Sequence, residues 1–273
     1  MIDTRGTGSR VVAWLPVGIV VLAAMVPALR LPALAVVAVG ALVALRTPAG
    51  GRGAGPGIAW IAVLPAAVLL VTGLVPDSRV LEPGRCDDLA APPVVRRLLQ
   101  AGLVLGVIAV LAPRFGGASS LGIRLPPDRR VTILALLSPV LVPAAIVIGP
   151  LLAGPFFGEV RLGLPSAAAL LPATILAIAN AAMEETAYRG ALQRWAAPAL
   201  GRGAAIAAQA AVFGAAHLGS DVVAGGPLLA VGLVIAGLVA GLVADRTRSL
   251  LLPFAVHVAL DVPLALALTC RLA

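Results

Sequence analysis

The sequence predicts an all-α protein, a polytopic bundle of eight or nine transmembrane helices. Of its 273 residues, 60% are hydrophobic and only 12% are charged, and the mean hydropathy is +1.07. A water-soluble domain carries about 25% charged residues, so this composition excludes a soluble globular protein. The charged residues are also unevenly spread, because they separate long stretches that contain none.

These uncharged stretches have the length of membrane helices. A bilayer core about 30 Å thick is crossed by about 20 apolar residues of α-helix. Eight stretches contain no charge, and a ninth contains one acid, Asp261. In chain order they are 11–29, 31–45, 53–76, 98–113, 131–158, 162–183, 203–220, 222–244 and 249–270. Most of them can therefore span a bilayer, and the two shortest are marginal.

The first two stretches decide between eight and nine spans. Pro27, Arg30 and Pro32 make the connection between them very tight. Two separate helices give nine spans. A single re-entrant or interfacial element over residues 11–45 gives eight and moves the amino terminus to the other side. Residues 11–29 are long for a signal-peptide core and many spans follow, so we interpret them as transmembrane.

The distribution of arginine predicts the orientation of the bundle. With nine spans and a cytoplasmic amino terminus, 13 of the 20 arginines fall inside, as the positive-inside rule requires. These are Arg5, Arg10, Arg46, Arg52, Arg114, Arg124, Arg129, Arg130, Arg189, Arg194, Arg202, Arg246 and Arg248. The outer side receives Arg30, Arg79, Arg85, Arg96, Arg97, Arg161 and Arg271, with the acids Asp77, Glu82, Asp87, Asp88, Glu159 and Asp221. We expect loops at 46–56 and 76–93, and solvated loop positions for the arginines other than Arg189.

Charge and cysteine content exclude further classes of protein. The net charge of +8 suits the anionic inner leaflet of a membrane. No polar domain offers the basic face that a soluble nucleic-acid-binding protein needs, so we expect the lipid bilayer as a partner and no nucleic acid. Cys86 and Cys270 are too few and too far apart to indicate a disulfide framework or a zinc motif.

A small set of ionisable residues interrupts the later hydrophobic stretches. The set consists of Glu184, Glu185, Arg189, His217, His257 and Asp261, and it holds both histidines of the chain. A charged side chain at the centre of a membrane helix costs about 2.5 to 3.5 kcal/mol on insertion scales. Such residues therefore indicate a functional site inside the bundle.

Helical spacing predicts which of these side chains meet. Glu185 and Arg189 are four residues apart, in the acid-before-base order that favours an ion pair. Glu184 projects about 100° away from Glu185, so we expect it to be free of that pair. His257 and Asp261 are also four apart, so Asp261 can orient or charge the imidazole.

Counting helical rise places Glu184 and His217 at one depth. Residues 196–203, with Pro198 and Gly201, predict a turn between two helices. Glu184 and His217 lie on either side of this turn, each about 25 Å away at 1.5 Å per residue. We therefore expect them to face each other on antiparallel neighbours.

Three motifs carry a family resemblance. EETAYR at 184–189, FGAAH at 213–217 and HVALD at 257–261 resemble the motifs EExxxR, FxxxH and HxxxN/D of the CPBP intramembrane proteases. That family includes type II CAAX prenyl endopeptidases and bacteriocin-processing enzymes. The resemblance covers about residues 121–265. We therefore divide the chain into amino-terminal transmembrane helices, 1–120, and a CPBP-like protease domain, 121–273, with a CAAX-protease-like core.

The resemblance implies a glutamate-dependent, metal-independent endopeptidase without a cofactor. Its substrate would be a membrane-associated peptide or protein, and its site would open towards the cytoplasm from a bacterial plasma membrane. Glu184 matches the glutamate that activates water, with His217 beside it, and the other four ionisable residues complete the motifs. Asp261 departs from the Asn that CAAX-type members often have. Because an ionised Asp only accepts hydrogen bonds, we expect it to orient His257.

Other functions fit parts of this pattern. The Glu185 and Arg189 pair could be purely structural, since buried charges are normally paired. Two histidines and several carboxylates could bind zinc, although no HExxH pair is present. A non-catalytic immunity or scaffold protein could share the bundle. A proton-coupled transporter could use the acids as a relay, although no inverted repeat supports one.

Overall fold

The computed structural model describes residues 4–46, 54–73, 92–144, 167–218 and 226–269. Within these ranges every regular element is a helix, which confirms the predicted all-α class. Several predicted features lie outside the described residues: most of the loop 76–93, Cys86, Cys270, and the outer charges Asp77, Arg79, Glu82, Arg85, Asp87, Asp88, Glu159, Arg161, Asp221 and Arg271.

Eleven α-helices and one π-helix make up the described part of the chain. They are α1 (Thr4–Met25), α2 (Arg30–Arg46), α3 (Ala54–Thr72), α4 (Pro92–Leu111), α5 (Ala118–Leu121), α6 (Arg129–Leu137), α7 (Ala167–Glu184), π1 (Glu185–Trp195), α8 (Ala196–Leu200), α9 (Arg202–Ala216), α10 (Gly226–Thr247) and α11 (Leu251–Thr269). Short 3-10 turns occupy Pro27–Leu29, Ala112–Phe115 and Ser138–Val140.

Four helical stretches in the described ranges are long and apolar enough to cross a membrane. They are Pro27–Arg46, Gly55–Thr72, Val94–Phe115 and Leu228–Thr247. Two shorter apolar helices, Val11–Met25 and Leu251–Pro263, accompany them. These are the helices of an integral membrane protein, and the total of eight or nine spans stays a prediction.

The first two hydrophobic stretches form separate helices. α1 ends at Met25, Val26 is extended, and the 3-10 turn leads directly into α2. Arg30, expected in a solvated loop, is only 4% exposed, so that expectation is wrong. Its guanidinium donates to the Ala24 carbonyl at 3.5 Å, because the last carbonyls of a helix have no partner within the helix itself.

Helix α3 lies at the centre of the amino-terminal half. It packs against α1, α2 and α4 and also against π1 and α8. Of the four candidate spans it is the most enclosed, with 56% of its residues buried against 22–33% in the others. Its alanines at 59, 62 and 66 are fully buried. Small side chains let membrane helices approach closely, so α3 connects the two halves of the bundle.

Helix α7 runs along α11 through a separate apolar cluster. Ala173 and Ala177 of α7 pack with Val262 and Leu266 of α11. This packing brings the carboxyl end of α7, where the first motif begins, beside the third motif. Residues more than 70 positions apart in the chain thereby enter one site.

Helices α9 and α10 approach closely at glycines. A Cβ atom on Gly214 would lie 2.7 Å from the Ala230 carbonyl oxygen and would also collide with Val234. Gln209 of α9 donates to the carbonyl of Gly237 at 2.7 Å. The glycines therefore allow both tight packing and a hydrogen bond between side chain and backbone.

The predicted turn at 196–203 is shorter than expected. Ala196–Leu200 is helical, and the chain reverses at Gly201, whose φ of +88° places it in the left-handed region. Pro198 lies within this helical stretch, three residues before the reversal at Gly201. The prediction placed the reversal correctly but gave it too many residues.

Three of the arginines predicted to lie inside contact the ends of neighbouring helices. Arg114 donates to the Ala44 carbonyl at the end of α2, and Arg194 to the Ala244 carbonyl near the end of α10. Arg202 forms an exposed ion pair with Asp245. Arg194 and Arg202 therefore lie at the same end of α10; which side of the membrane this end faces stays a prediction.

We expect Gly214→Ala to lower the stability of the protein in detergent. The added methyl group would meet the backbone of α10, which cannot move without disturbing the helix pair, and overpacking of this kind costs about 1 to 3 kcal/mol. The matched control is Gly232→Ala on α10, where an added Cβ has open space. Thermal unfolding of the purified variants measures the difference, and equal midpoints would contradict the packing described.

Candidate active site

The first motif lies where an α-helix changes to a π-helix. Glu184 is the last residue of α7 and Glu185 is the first of π1, which continues to Trp195. π-Helices are rare and occur frequently at functional sites. The spacing argument assumed α-helical winding here, which is wrong, although the Glu185 and Arg189 contact that it predicted is present.

Glu185 is held by two cationic or basic partners. Its Oε1 atom accepts from Arg189 Nη1 at 3.1 Å and from His257 Nδ1 at 2.8 Å. Glu185 and Arg189 are each only 2% exposed. Because a carboxylate oxygen is only an acceptor, His257 carries a proton on Nδ1. The contact joins π1 to α11, so it links the first motif with the third.

Glu184 has a different environment from its neighbour. Its Oε1 lies 3.5 Å from Arg97 Nη2, and its Oε2 lies 3.8 Å from His257 Nε2. Glu184 therefore lies outside the pair of Glu185 with Arg189, as its spacing predicts, but it has ionic partners of its own. Arg97 belongs to α4, so the amino-terminal half of the chain contributes directly to the site.

His257 and Asp261 lie together, as their spacing predicts. The Nε2 atom of His257 is 3.4 Å from Asp261 Oδ2, which also accepts a hydrogen bond of 2.7 Å from Asn180 Nδ2. Asn180 is on α7, one turn before the first motif. Asp261 is thus fixed between two helices, in a position from which it can orient the His257 ring.

Aromatic packing connects the second motif to this cluster. The Phe213 ring lies 4.4 Å below the Arg189 guanidinium and makes an edge contact with the Tyr188 ring. Its centroid is 5.0 Å from that of the His217 imidazole and 6.5 Å from that of His257. Phe213 therefore brings both imidazoles into one cluster; whether Glu184 and His217 face each other directly stays a prediction.

The protonation of His217 follows from its hydrogen bond. His217 ends α9, and its Nδ1 lies 2.7 Å from the Phe213 carbonyl oxygen. Since a carbonyl only accepts, Nδ1 carries the proton and donates. In the neutral ring Nε2 is then the acceptor nitrogen.

The cluster is buried on one side and accessible on the other. The side chains of Glu184 and Glu185 are 5% and 3% exposed, those of His257 and Asp261 are 14% exposed, and that of Arg97 is 32% exposed. The more exposed side of the cluster is therefore the side of Arg97, His257 and Asp261. In the described ranges, no group of three or more His, Cys, Asp or Glu side chains could hold a metal ion.

Sequence reasoning missed Arg97 and Asn180. Arg97 was expected in an outer loop because it borders an uncharged stretch, but its side chain turns into the bundle towards Glu184. Asn180 carries no charge and was hidden in an apolar stretch. A polar amide in a membrane helix was the available signal, since such groups also need partners there.

The comparisons with known proteins agree with the motifs. Residues 166–263 match the family model described as type II CAAX prenyl endopeptidase Rce1-like. The match spans α7, π1, α8, α9, α10 and most of α11, and it includes all three motifs. It confirms the predicted family resemblance for this part of the chain. No curated protein and no solved structure matches the chain significantly.

We expect Arg189→Met to destabilise the protein strongly. The substitution leaves the buried carboxyl group of Glu185 without its guanidinium partner, and breaking a buried ion pair costs about 3 to 5 kcal/mol. Arg202→Ala is the control, because it breaks an exposed pair with Asp245 and should leave stability unchanged. Thermal unfolding in detergent measures the stability of both variants, and equal unfolding midpoints would show that Glu185 does not need Arg189.

Proposed function

We propose that the protein is an intramembrane endopeptidase that hydrolyses a peptide bond in a membrane-associated peptide or protein. One observation carries the proposal: Glu184 and Glu185 are adjacent but stand in different surroundings. Glu185 bonds to Arg189 and His257, whereas Glu184, which is equally buried, lies beside the more exposed side chains of Arg97 and His257. The match to type II CAAX prenyl endopeptidases supports this reaction class.

In this proposal Glu184 activates the water that attacks the substrate. Its carboxylate takes a proton from water, and the resulting hydroxide forms a bond to the carbonyl carbon. The same carboxyl group then gives the proton to the leaving amine as the C–N bond breaks. A bundle that excludes bulk water strengthens the electrostatic interactions that guide these steps.

His257 and Asp261 act together beside this acid. Asp261 accepts a hydrogen bond from the side-chain amide of Asn180 and lies close to His257 Nε2. An ionised Asp cannot donate a hydrogen bond to the developing oxyanion, so its role is to orient the imidazole. His217, which contacts the Phe213 ring of the cluster, assists in positioning the water.

The position of the site supports a class of substrate. A polar cluster inside an apolar bundle is reached most easily by a chain that is already held in the membrane. The matched family is described by its action on prenylated CAAX proteins, and a lipid chain anchors a peptide through its buried methylene groups. We therefore propose that lipidated carboxyl-terminal peptides are among the substrates.

We expect Glu184→Gln to abolish cleavage, since glutamine cannot accept the proton of water, and loss of a general base costs about 10²- to 10⁴-fold in rate. The assay uses purified protein in liposomes with a fluorogenic farnesylated peptide ending in a CAAX sequence, and the same peptide without its lipid. Asp245→Asn is the control, because Asp245 lies in the Arg202 pair near the end of α10.

Three outcomes test separate parts of the proposal. Full turnover by Glu184→Gln would refute its role as the base. Equal cleavage of the lipidated and unlipidated peptides would refute the lipid preference. Loss of activity with a chelator, restored by added zinc, would replace the glutamate mechanism with a metal-dependent one.

A further inference from the structure

Arg97 is held in place by a chain of hydrogen bonds that runs to α3. Gln100, on the next turn of α4, donates through Nε2 to the Leu69 carbonyl and to Thr72 Oγ1, both at 3.1 Å. These two bonds fix the amide, so that its Oε1 accepts from Arg97 Nη1 at 2.6 Å. The guanidinium is therefore fixed before any substrate arrives.

Arg97 combines proximity to Glu184 with access from outside. Its Nη2 lies 3.5 Å from Glu184 Oε1, and its side chain is 32% exposed. Arg189, the other guanidinium of the cluster, is 2% exposed and bonds to Glu185. Arg97 is thus the cation of the described cluster that a substrate can reach.

Two other donors of the cluster, the Tyr188 hydroxyl and Arg189 Nε, have no hydrogen-bond partner among the described residues, but both side chains are fully buried. The remaining described donors point at carboxylates. Asn180 Nδ2 donates to Asp261 and His257 Nδ1 to Glu185, while His257 Nε2 lies between Asp261 and Glu184. An attack on a carbonyl group produces a negative oxygen that needs a donor within about 3 Å. The five N–H groups of a guanidinium make Arg97 the group best suited to supply one.

We propose that Arg97 is a further catalytic residue that stabilises the oxyanion, an inference that rests on the proposed peptidase function. Before attack, the negative charge is on Glu184 and the guanidinium is paired with it. When Glu184 takes the proton of water and hydroxide bonds to the carbonyl carbon, the C=O electron pair moves to oxygen. The carboxyl group is then neutral, and Arg97 pairs with the oxyanion. When the carbonyl re-forms, the C–N bond breaks and the amine takes the proton from Glu184.

This role assigns part of the active site to a helix outside the matched segment. α4 ends at Leu111, well before the match begins at residue 166. A protein that kept residues 166–263 but lost α4 would retain the three motifs without this cation. The amino-terminal helices would then contribute chemistry as well as support.

The experiment measures kcat and KM for wild type, Arg97→Gln, Arg97→Lys and the control Arg96→Gln in liposomes, with the farnesylated CAAX peptide. We expect Arg97→Gln to lower kcat about 100-fold with KM little changed, as for loss of one oxyanion donor. Arg97→Lys keeps the positive charge but lacks the planar set of N–H donors of a guanidinium, and its kcat should be about 10-fold lower than that of wild type. Arg96→Gln removes the same charge one position away and should retain wild-type turnover.

Binding of two inhibitors separates this role from mere support of the fold. One is a phosphinic analogue of the peptide, whose anionic tetrahedral group mimics the intermediate. The other is a reduced-amide analogue, which lacks that oxygen. Arg97→Gln should weaken binding of the phosphinic analogue about 100-fold and leave binding of the reduced-amide analogue unchanged, because the variant loses only contacts made in the transition state.

The outcomes distinguish this inference from the proposed function. Wild-type protein that cleaves neither lipidated nor unlipidated peptides overturns the proposed function, and this inference with it. Wild-type cleavage that Arg97→Gln leaves intact overturns this inference alone. Equal weakening of the binding of both inhibitors would also overturn it, because the effect would then be on folding. An equal loss of kcat in Arg96→Gln would overturn it as well, because the effect would then come from the net charge.

Discussion

The contact of Glu185 with Arg189 and His257 is the interaction on which the rest of the site depends. A carboxylate buried among apolar helices is stable only when its charge is compensated. Arg189 supplies the compensation from the same helix, and His257 supplies it from α11. Because both partners converge on one oxygen atom, the position of π1 relative to α11 is set by electrostatics as well as by packing.

The different surroundings of the two adjacent acids follow from this contact. Glu185 is enclosed by its partners, and Glu184 is turned by the helix towards α4 and the accessible side of the cluster. Neighbouring residues of one chemical type can therefore have different partners on different helices. The change from α to π winding occurs between them, and it determines how the following turns present Tyr188 and Arg189 to Phe213.

Small residues bring these groups close enough to interact. Alanines along α3 and α7 and glycines along α10 let the helices approach each other with little side-chain bulk between them. In a membrane, where lipid tails are as apolar as the side chains, close packing and hydrogen bonds between helices provide much of the stability. The hydrogen bonds of Gln209 and Gln100 to backbone carbonyls of other helices are examples. The packing that stabilises the bundle is thus also the packing that assembles the site.

The sequence by itself determined the all-α class, the membrane-spanning character and the pairs within one helix, such as Glu185 with Arg189 and His257 with Asp261. Composition and helical periodicity act locally, so they can be read without knowing the fold. It did not show that Arg30 is buried or that Asn180 binds Asp261. Nor did it show that Arg97 turns towards Glu184. Those contacts join different helices, and only the packing of α4, α7 and α11 in three dimensions decided which side chains meet.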